Sequence, residues 1–372
     1  MKTKKMSFII IAILLIIAIG YPYNKRQNNP IQIGFVSALS GPSADLGFAC
    51  RNALEMYIDE VNSNGGIHGR PIEILILDDQ GNPEIALTHF EKLIADGVQL
   101  IVGQVTSASA TLTVPYVNEH HALFISPLVS SNAYRGQDDH FIALAPSASD
   151  QGNTISNYII SQKKSSRVAI LYDQSNFVYS NAVIEGAIEP FTQTEHFEFQ
   201  LYALNESSEI PAVINAASEF VPDDFIVITN VSDLLLISNQ VKKTLGNIDI
   251  YSSMWGMAPE VISGYGESMA NVYGVYAINP NSDSPQYLDF KTRYLEKYQV
   301  EANFGAIYTY NAAYLLTTAI KNVNSTDPDI INTYIKDTQF FDGINTPYEI
   351  TSTGDAVRKL FIIHAEDGKT IN

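Results

Sequence analysis

Two clusters of small hydroxyl residues, Thr106-Ser107 and Ser130-Ser131, stand just beyond short apolar runs, Leu100-Ile-Val-Gly103 and Leu123-Phe-Ile-Ser126. Each run has the β-branched and aromatic character of a buried strand. Helical spacing is predicted from Thr106 to Glu119, so the first hydroxyls fall where a helix begins. A helix start offers unpaired N–H groups and roughly half a positive elementary charge, and Ser or Thr adds hydrogen bonds with little bulk. Together these suit an anionic group such as a carboxylate. The same residues also serve as ordinary helix caps, worth ~1 kcal/mol each. Their repetition beside two strand ends favours a binding site.

Other groups that could do chemistry are sparse. Glu119-His120-His121 invites a metal or acid/base reading, but adjacent side chains diverge, and we read the trio as a solvated helix end with no metal. Asp78-Asp79 and Asp138-Asp139 coincide with turn signals and read as caps or solvated loops. The chain has no Gly-X-Gly-X-X-Gly after its first strand, no Walker loop, no Gly-X-Ser-X-Gly elbow and no cysteine cluster; Gly264-Tyr-Gly266 lacks the third glycine. The expectation is a protein that binds rather than catalyses, without a cofactor. Cys50 is the only cysteine, which excludes an intrachain disulfide and fits a small packed side chain.

The elements that must position the hydroxyls alternate regularly. Ile31–Ser37, Ile72–Leu77, Gln99–Val102 and Ala122–Ser126 read as strands, separated by helices at Leu46–Asn64, Pro83–Ala95 and from Thr106. Gly65-Gly66 ends the first helix, and Asn82 with Pro83 starts the second. A similar series begins near residue 149. Its predicted strands are Val168–Tyr172, Phe197–Ala203, Phe225–Thr229, Ile248–Ser252 and Val272–Ile278; its helices are Asp150–Gln162, Ala182–Phe191, Pro211–Phe220 and Leu234–Leu245. Further helices at Tyr287–Tyr298 and Gly305–Asn322 precede a last apolar run, Lys359–Ile363. This pattern defines an α/β protein with two doubly wound parallel-sheet lobes. Such sheets bind ligands beyond the carboxyl ends of their strands, and two facing lobes would make a cleft there.

The 372-residue length fits two lobes, since single cores usually split beyond ~250–300 residues. Charged residues make up only 17% and hydrophobic residues 46%, a globular balance. The formal charge of −18 opposes binding to nucleic acid or to an anionic membrane surface. Met1-Lys-Thr-Lys-Lys5 followed by the apolar run Phe8–Ile19 and small residues at Ala18 and Gly20 reads as a secretory signal within residues 1–20, with an uncleaved membrane anchor as the alternative. Tyr21 stands where a lipoprotein would need cysteine, and residues 21–30 form a polar spacer.

The segments Ile33-Gly-Phe-Val-Ser-Ala-Leu-Ser-Gly-Pro42, Asp59-Glu-Val-Asn-Ser-Asn-Gly-Gly-Ile-His-Gly69 and Asp78-Asp-Gln-Gly-Asn-Pro83 resemble the leucine/isoleucine/valine-binding protein family, type I periplasmic solute-binding proteins of ABC importers. Ile125-Ser-Pro127, Ser149-Asp-Gln-Gly152, Val168-Ala-Ile-Leu-Tyr-Asp173 and the Tyr310-Asn-Ala-Ala helix follow in the family's order. The resemblance implies a type I two-lobe fold with a three-strand hinge. Lobe 1 would span 31–148 and be completed by 279–345; lobe 2 would span 149–278, with a final crossover and return in 346–372. It also implies an exported monomer that closes on a small solute and delivers it to membrane-bound ABC permease subunits.

Carried onto this chain, the resemblance implies that Ser107 and Ser130 hold the solute's carboxylate and that the Leu128 carbonyl faces its ammonium group, while Leu46, Thr106 and Trp255 build the side-chain pocket. Phe177 stands where the family has a tyrosine, with Tyr179 two places on. The family's acidic partner of the ammonium group is replaced by Met254-Trp255, with Glu260 nearby but off register. An amino acid or a related organic or aromatic acid is therefore the expected ligand. A sensory receptor signalling through a separate membrane partner is the alternative that the same fold permits.

Overall fold

A computed structural model describes residues 29–162, 166–257, 269–279 and 282–365. The proposed signal segment 1–20, Glu260 and the 264–266 stretch lie outside the described residues, as does 366–372 of the C-terminal segment. Among the described residues, no helix is long and apolar enough to cross a membrane.

The first sheet holds five parallel strands in the order β2-β1-β3-β4-β5: β1 (Ile31–Ser37), β2 (Ile72–Asp78), β3 (Leu100–Gly103), β4 (Leu123–Ser126) and β5 (Phe141–Ala143). Every residue of β3 and β4 is buried, the mark of strands covered on both faces. Helices α1 (Ala44–Ser63), α2 (Pro83–Ala95) and α3 (Ala110–Glu119) connect them. The Asn82 side chain caps α2 by accepting from the N–H groups of Glu84 and Ile85.

The second sheet runs β14-β10-β9-β8-β6-β7. It comprises β6 (Arg167–Asp173), β7 (Glu198–Leu204), β8 (Asp224–Ile228), β9 (Asp249–Ser252) and β10 (Val272–Tyr276), all parallel, with β14 (Phe361–His364) added antiparallel to β10. Its helices are α4 (Ala148–Gln162), α5 (Phe177–Thr192), α6 (Ile210–Glu219) and α7 (Val231–Leu245). Helices α8 (Pro285–Tyr298), α9 (Phe304–Val323) and α10 (Pro328–Thr338) return to the first sheet; α8 and α9 pack on α1, and α10 packs under β4. A small antiparallel sheet follows, β11 (Phe340–Phe341), β12 (Tyr348–Ile350) and β13 (Ala356–Val357). The chain thus passes between the large sheets after β5, after β10 and after β13.

Three expectations shift. Strand β5, only three residues long, and helix α10 add to the predicted elements; α10 has an ordinary start signal, Asp327 capping the N–H groups of Asp329 and Ile330 with Pro328 in the first turn. Helix α3 starts at Ala110 rather than Thr106, because the Thr106 hydroxyl pairs with the Ser109 hydroxyl at 2.9 Å and accepts its N–H at 3.2 Å, holding 106–109 in a turn. Helix α5 starts at Phe177, five residues before the predicted Ala182.

Candidate functional site

Strand β3 ends at Gly103 with φ near +142°, where any Cβ would collide with the Val36 carbonyl. Gln104 follows at φ +55°, its N–H donating to the Val36 carbonyl at 2.7 Å. Its buried side chain spans the next turn: Nε2 donates to the Ser109 carbonyl at 3.1 Å, and Oε1 accepts from the Thr113 hydroxyl at 3.0 Å. Gln104 therefore pins the loop that carries Ser107. The buried Ser107 Oγ accepts the N–H groups of Ser130 and Ser131 at 3.3 and 3.2 Å, joining the two hydroxyl clusters. With both acceptor sites used, its own proton is left to be donated.

The opposing wall comes from the second sheet. Asn176 opens α5, yet its side chain makes no cap there. Its Oδ1 instead accepts the Ala108 N–H at 3.1 Å across the cleft, and the Ser131 hydroxyl donates to the Val178 carbonyl at 3.1 Å. The two lobes are in contact through these bonds. Tyr179 is buried, and its hydroxyl donates at 2.8 Å to Gln151 Oε1, which also accepts the Met254 N–H at 3.1 Å. Burial drives the Tyr179 phenol far above its ordinary range, so it stays neutral. Its ring meets Trp255 edge-on, centroids 5.8 Å apart, on the 3-10 turn Met254–Gly256.

Leu46, Val105, Ser107, Leu128, Ser130, Asn176, Tyr179, Met254, Trp255 and Phe304 line a partly open cavity between the lobes. Its free volume is about 20 Å³, room for about one water and far below the ~300–1,000 Å³ usual for small-molecule sites, so a solute has to part the contacts between the lobes to enter. The structure thus brings together Leu46, Ser107, Leu128, Ser130, Tyr179 and Trp255. It does not bring in Thr106, whose hydroxyl is spent on Ser109, or Phe177. Phe177 is 48% exposed, because the earlier start of α5 puts it on the helix's first turn, tilted against Tyr172 and away from the wall.

Sequence reasoning missed three lining residues as site members: Asn176, Val105 and Phe304. Asn176 had a signal, being a polar residue just past a predicted strand end as Ser107 is. Val105 and Phe304 look like ordinary core; Phe304 arrives on α9, from far along the chain. None of the described lining residues is charged. The site offers neutral hydrogen-bond donors at one end and aliphatic and aromatic surface at the other.

Two readings outside the cavity can also be compared with the structure. Asp78 is a cap: its Oδ1 accepts from the N–H groups of Leu39 and Gln80 and its Oδ2 from the Ser40 hydroxyl. Asp79 is fully buried rather than solvated, because it turns under the end of β2; burial raises its carboxyl to about 6 although Oδ1 accepts the Gly81 N–H. The Cys50 thiol is buried and pushed up to about 12, the mark of an inert packed side chain.

Two parallel α/β lobes in contact across a lined cavity at their strand ends define a two-lobed binding protein. The periplasmic binding protein family profile matches residues 30–370, and the chain belongs to that family. A Leu/Ile/Val-binding protein of Rhizobium johnstonii is 28% identical over 158 residues, 40% of each chain. The chain thus spans about two-fifths of the length of the curated relatives it matches. Among solved structures, the Streptococcus pneumoniae branched-chain amino acid transporter substrate-binding protein LivJ in complex with isoleucine is similar with a TM-score of 0.81 and 21% identity, over 92% of this chain and 98% of that one. An R. palustris ABC transporter solute-binding protein in complex with benzoate gives 0.82 and 18%, over 92% and 95%. These relatives are binding proteins, not enzymes.

Proposed function

We propose that this chain is the exported solute-binding component of an ABC importer and captures a small monocarboxylate with an apolar body. The observation that carries the reading is Ser107 Oγ: it accepts two backbone N–H groups, so its proton is directed to a ligand oxygen, opposite an uncharged wall of Tyr179, Met254 and Trp255. Ser130 adds a second hydroxyl, and Asn176, its Oδ1 engaged, has amide hydrogens to donate. No carboxylate is among the described lining residues to receive an ammonium group. Enclosing one without a partner costs several kcal/mol. Of the two solutes held by the similar structures, benzoate rather than isoleucine has the matching chemistry. In this reading lobe 1 is 31–148 with 279–345, lobe 2 is 149–278, the chain acts as a monomer and 1–20 directs export.

A thermal-shift panel on the unfolded and refolded chain, pairing each amino acid with its deaminated acid and adding aromatic acids, tests this. Ligand at a hundred times its dissociation constant adds ~2.7 kcal/mol of stability. A raised melting temperature with the deaminated or aromatic acids and none with the amino acids is expected. A shift confined to leucine, isoleucine or valine would overturn the monocarboxylate assignment and require another partner for the ammonium group.

A further inference from the structure

His121, read from the sequence as part of a solvated helix end, has company. It stands two residues past the end of α3 at φ +50°, His140 stands one residue before β5, and Asp329 lies in the first turn of α10. Asp329 Oδ1 is 2.6 Å from His140 Nε2 and 3.3 Å from His121 Nδ1, and the two imidazole rings are 4.9 Å apart. One ligand atom from each of the three lies within 4.8 Å of the others.

We propose that His121, His140 and Asp329 form a binding site for one borderline divalent transition ion of the Zn²⁺ class. Imidazole nitrogens select such ions over Ca²⁺ or Mg²⁺, which take oxygen ligands. Tetrahedral bonds of ~2.0–2.1 Å set ligand atoms ~3.3 Å apart. The His121–Asp329 spacing already meets this, and the His140–Asp329 contact needs to widen by well under an ångström.

The ligand-bearing segments are tied together without any ion. The His140 N–H donates to Asn118 Oδ1 of α3 at 2.9 Å, and the Asp139 carbonyl accepts from Asn332 Nδ2 of α10 at 2.7 Å. A preset spacing of this kind lowers the ordering cost of binding. The His121 and Asp329 side chains are 68% and 63% exposed, leaving coordination positions for water on the open side. His121 and His140 precede β4 and β5, whereas Ser107 and Ser130 follow β3 and β4. The ion site is therefore at the edge of the first sheet opposite the cavity, and its test is independent of the solute.

The experiment is a Zn²⁺ titration by calorimetry, with a chromogenic chelator as competitor, on the full chain carrying no polyhistidine tag and stripped with EDTA. One ion per chain is expected. His121→Gln and Asp329→Asn should each weaken it about 10-fold or more, since even the outer partners of metal ligands cost that much. His120→Gln should leave affinity unchanged, because the His120 ring is stacked on Tyr116 and its Nδ1 is bonded to the Tyr116 carbonyl. Co²⁺ should give visible d–d absorption that His121→Gln abolishes. Absence of stoichiometric binding by the unaltered chain, or equal affinity in His121→Gln, would overturn the site. Both altered side chains are exposed, and metal-free melting temperatures check that the variants fold.

Discussion

The two walls of the cavity sit in equivalent places, on turns that leave strand carboxyl ends, yet the first lobe presents hydroxyls and the second presents rings and a thioether. The first wall is held by main-chain geometry: Gly103 and Gln104 at positive φ, the Gln104 side chain across its own loop, and two N–H groups on Ser107. With the backbone fixed, small side chains suffice to place donors. The second wall is held by side chains on side chains, with Gln151 bonding Tyr179 and the Met254 N–H, and Tyr179 set edge-on to Trp255. Its shape can change with one residue. The first wall fixes which group is bound, the second how large and how flat the rest of the solute is.

The largest effect should follow from removing the second wall. Trp255→Ala deletes the ring against which the solute's body packs and leaves Tyr179 without its edge-on partner. The expected loss is about 2–4 kcal/mol of binding free energy for the acid found by the panel, the size of a central aromatic contact. Calorimetry on Trp255→Ala and Trp255→Phe measures it, with the phenylalanine variant expected to keep most of the affinity. Full affinity in the alanine variant would mean that the solute lies wholly against the first lobe.

The difference between the walls also explains what was legible in the sequence. Strand and helix positions follow from periodic apolar residues and punctuating Gly, Asn and Pro, as at Asn82-Pro83 and Gly65-Gly66. The first wall was legible because strand ends and hydroxyls are both local features, and Ser107 and Ser130 could be read together. The second wall depends on where α5 begins. Its start at Phe177 turned Phe177 outward and brought Asn176 to the cleft, which apolar spacing from Ala182 onward does not reveal. Thr106 carried the same hydroxyl signal as Ser107, and only the turn to Ser109 separates a brace from a lining group. Phe304 and the His121–His140–Asp329 cluster join distant segments and have no local signature.

A second contrast lies within the first lobe. Ser107, beyond the end of β3, is neutral with both acceptor sites partnered, whereas Asp79, buried just past β2, has one carboxylate oxygen without a partner. Burial raises the Asp79 carboxyl to about 6 in the folded chain, against ~3.9 when unfolded. The native state thus binds the extra proton between these values, and stability falls as pH rises from about 4 to 6. Above pH 6 the ionised group costs about 2–3 kcal/mol. Asp79→Asn keeps the acceptor for the Gly81 N–H and should stabilise the chain at pH 7 by up to that amount. The advantage should shrink toward pH 4 in denaturant melts of both forms. An advantage that does not change with pH would mean that the carboxylate is solvated in solution.

The smallest of these effects tests the first wall most sharply. Ser107→Ala removes a donor to the solute and also strands the N–H groups of Ser130 and Ser131, so some loss of thermal stability is expected whatever the ligand does. Binding of the acid should weaken by roughly 1–3 kcal/mol, the cost of leaving a buried polar partner unpaired. The contribution to recognition separates from the structural one by comparing the acid with its uncharged amide. A hydrogen bond to a carboxylate is about twice as strong as one to a neutral carbonyl, so the substitution should penalise the acid more than the amide. Equal penalties would reduce Ser107 to a brace between the two loops and move the carboxylate toward the Asn176 side of the cavity.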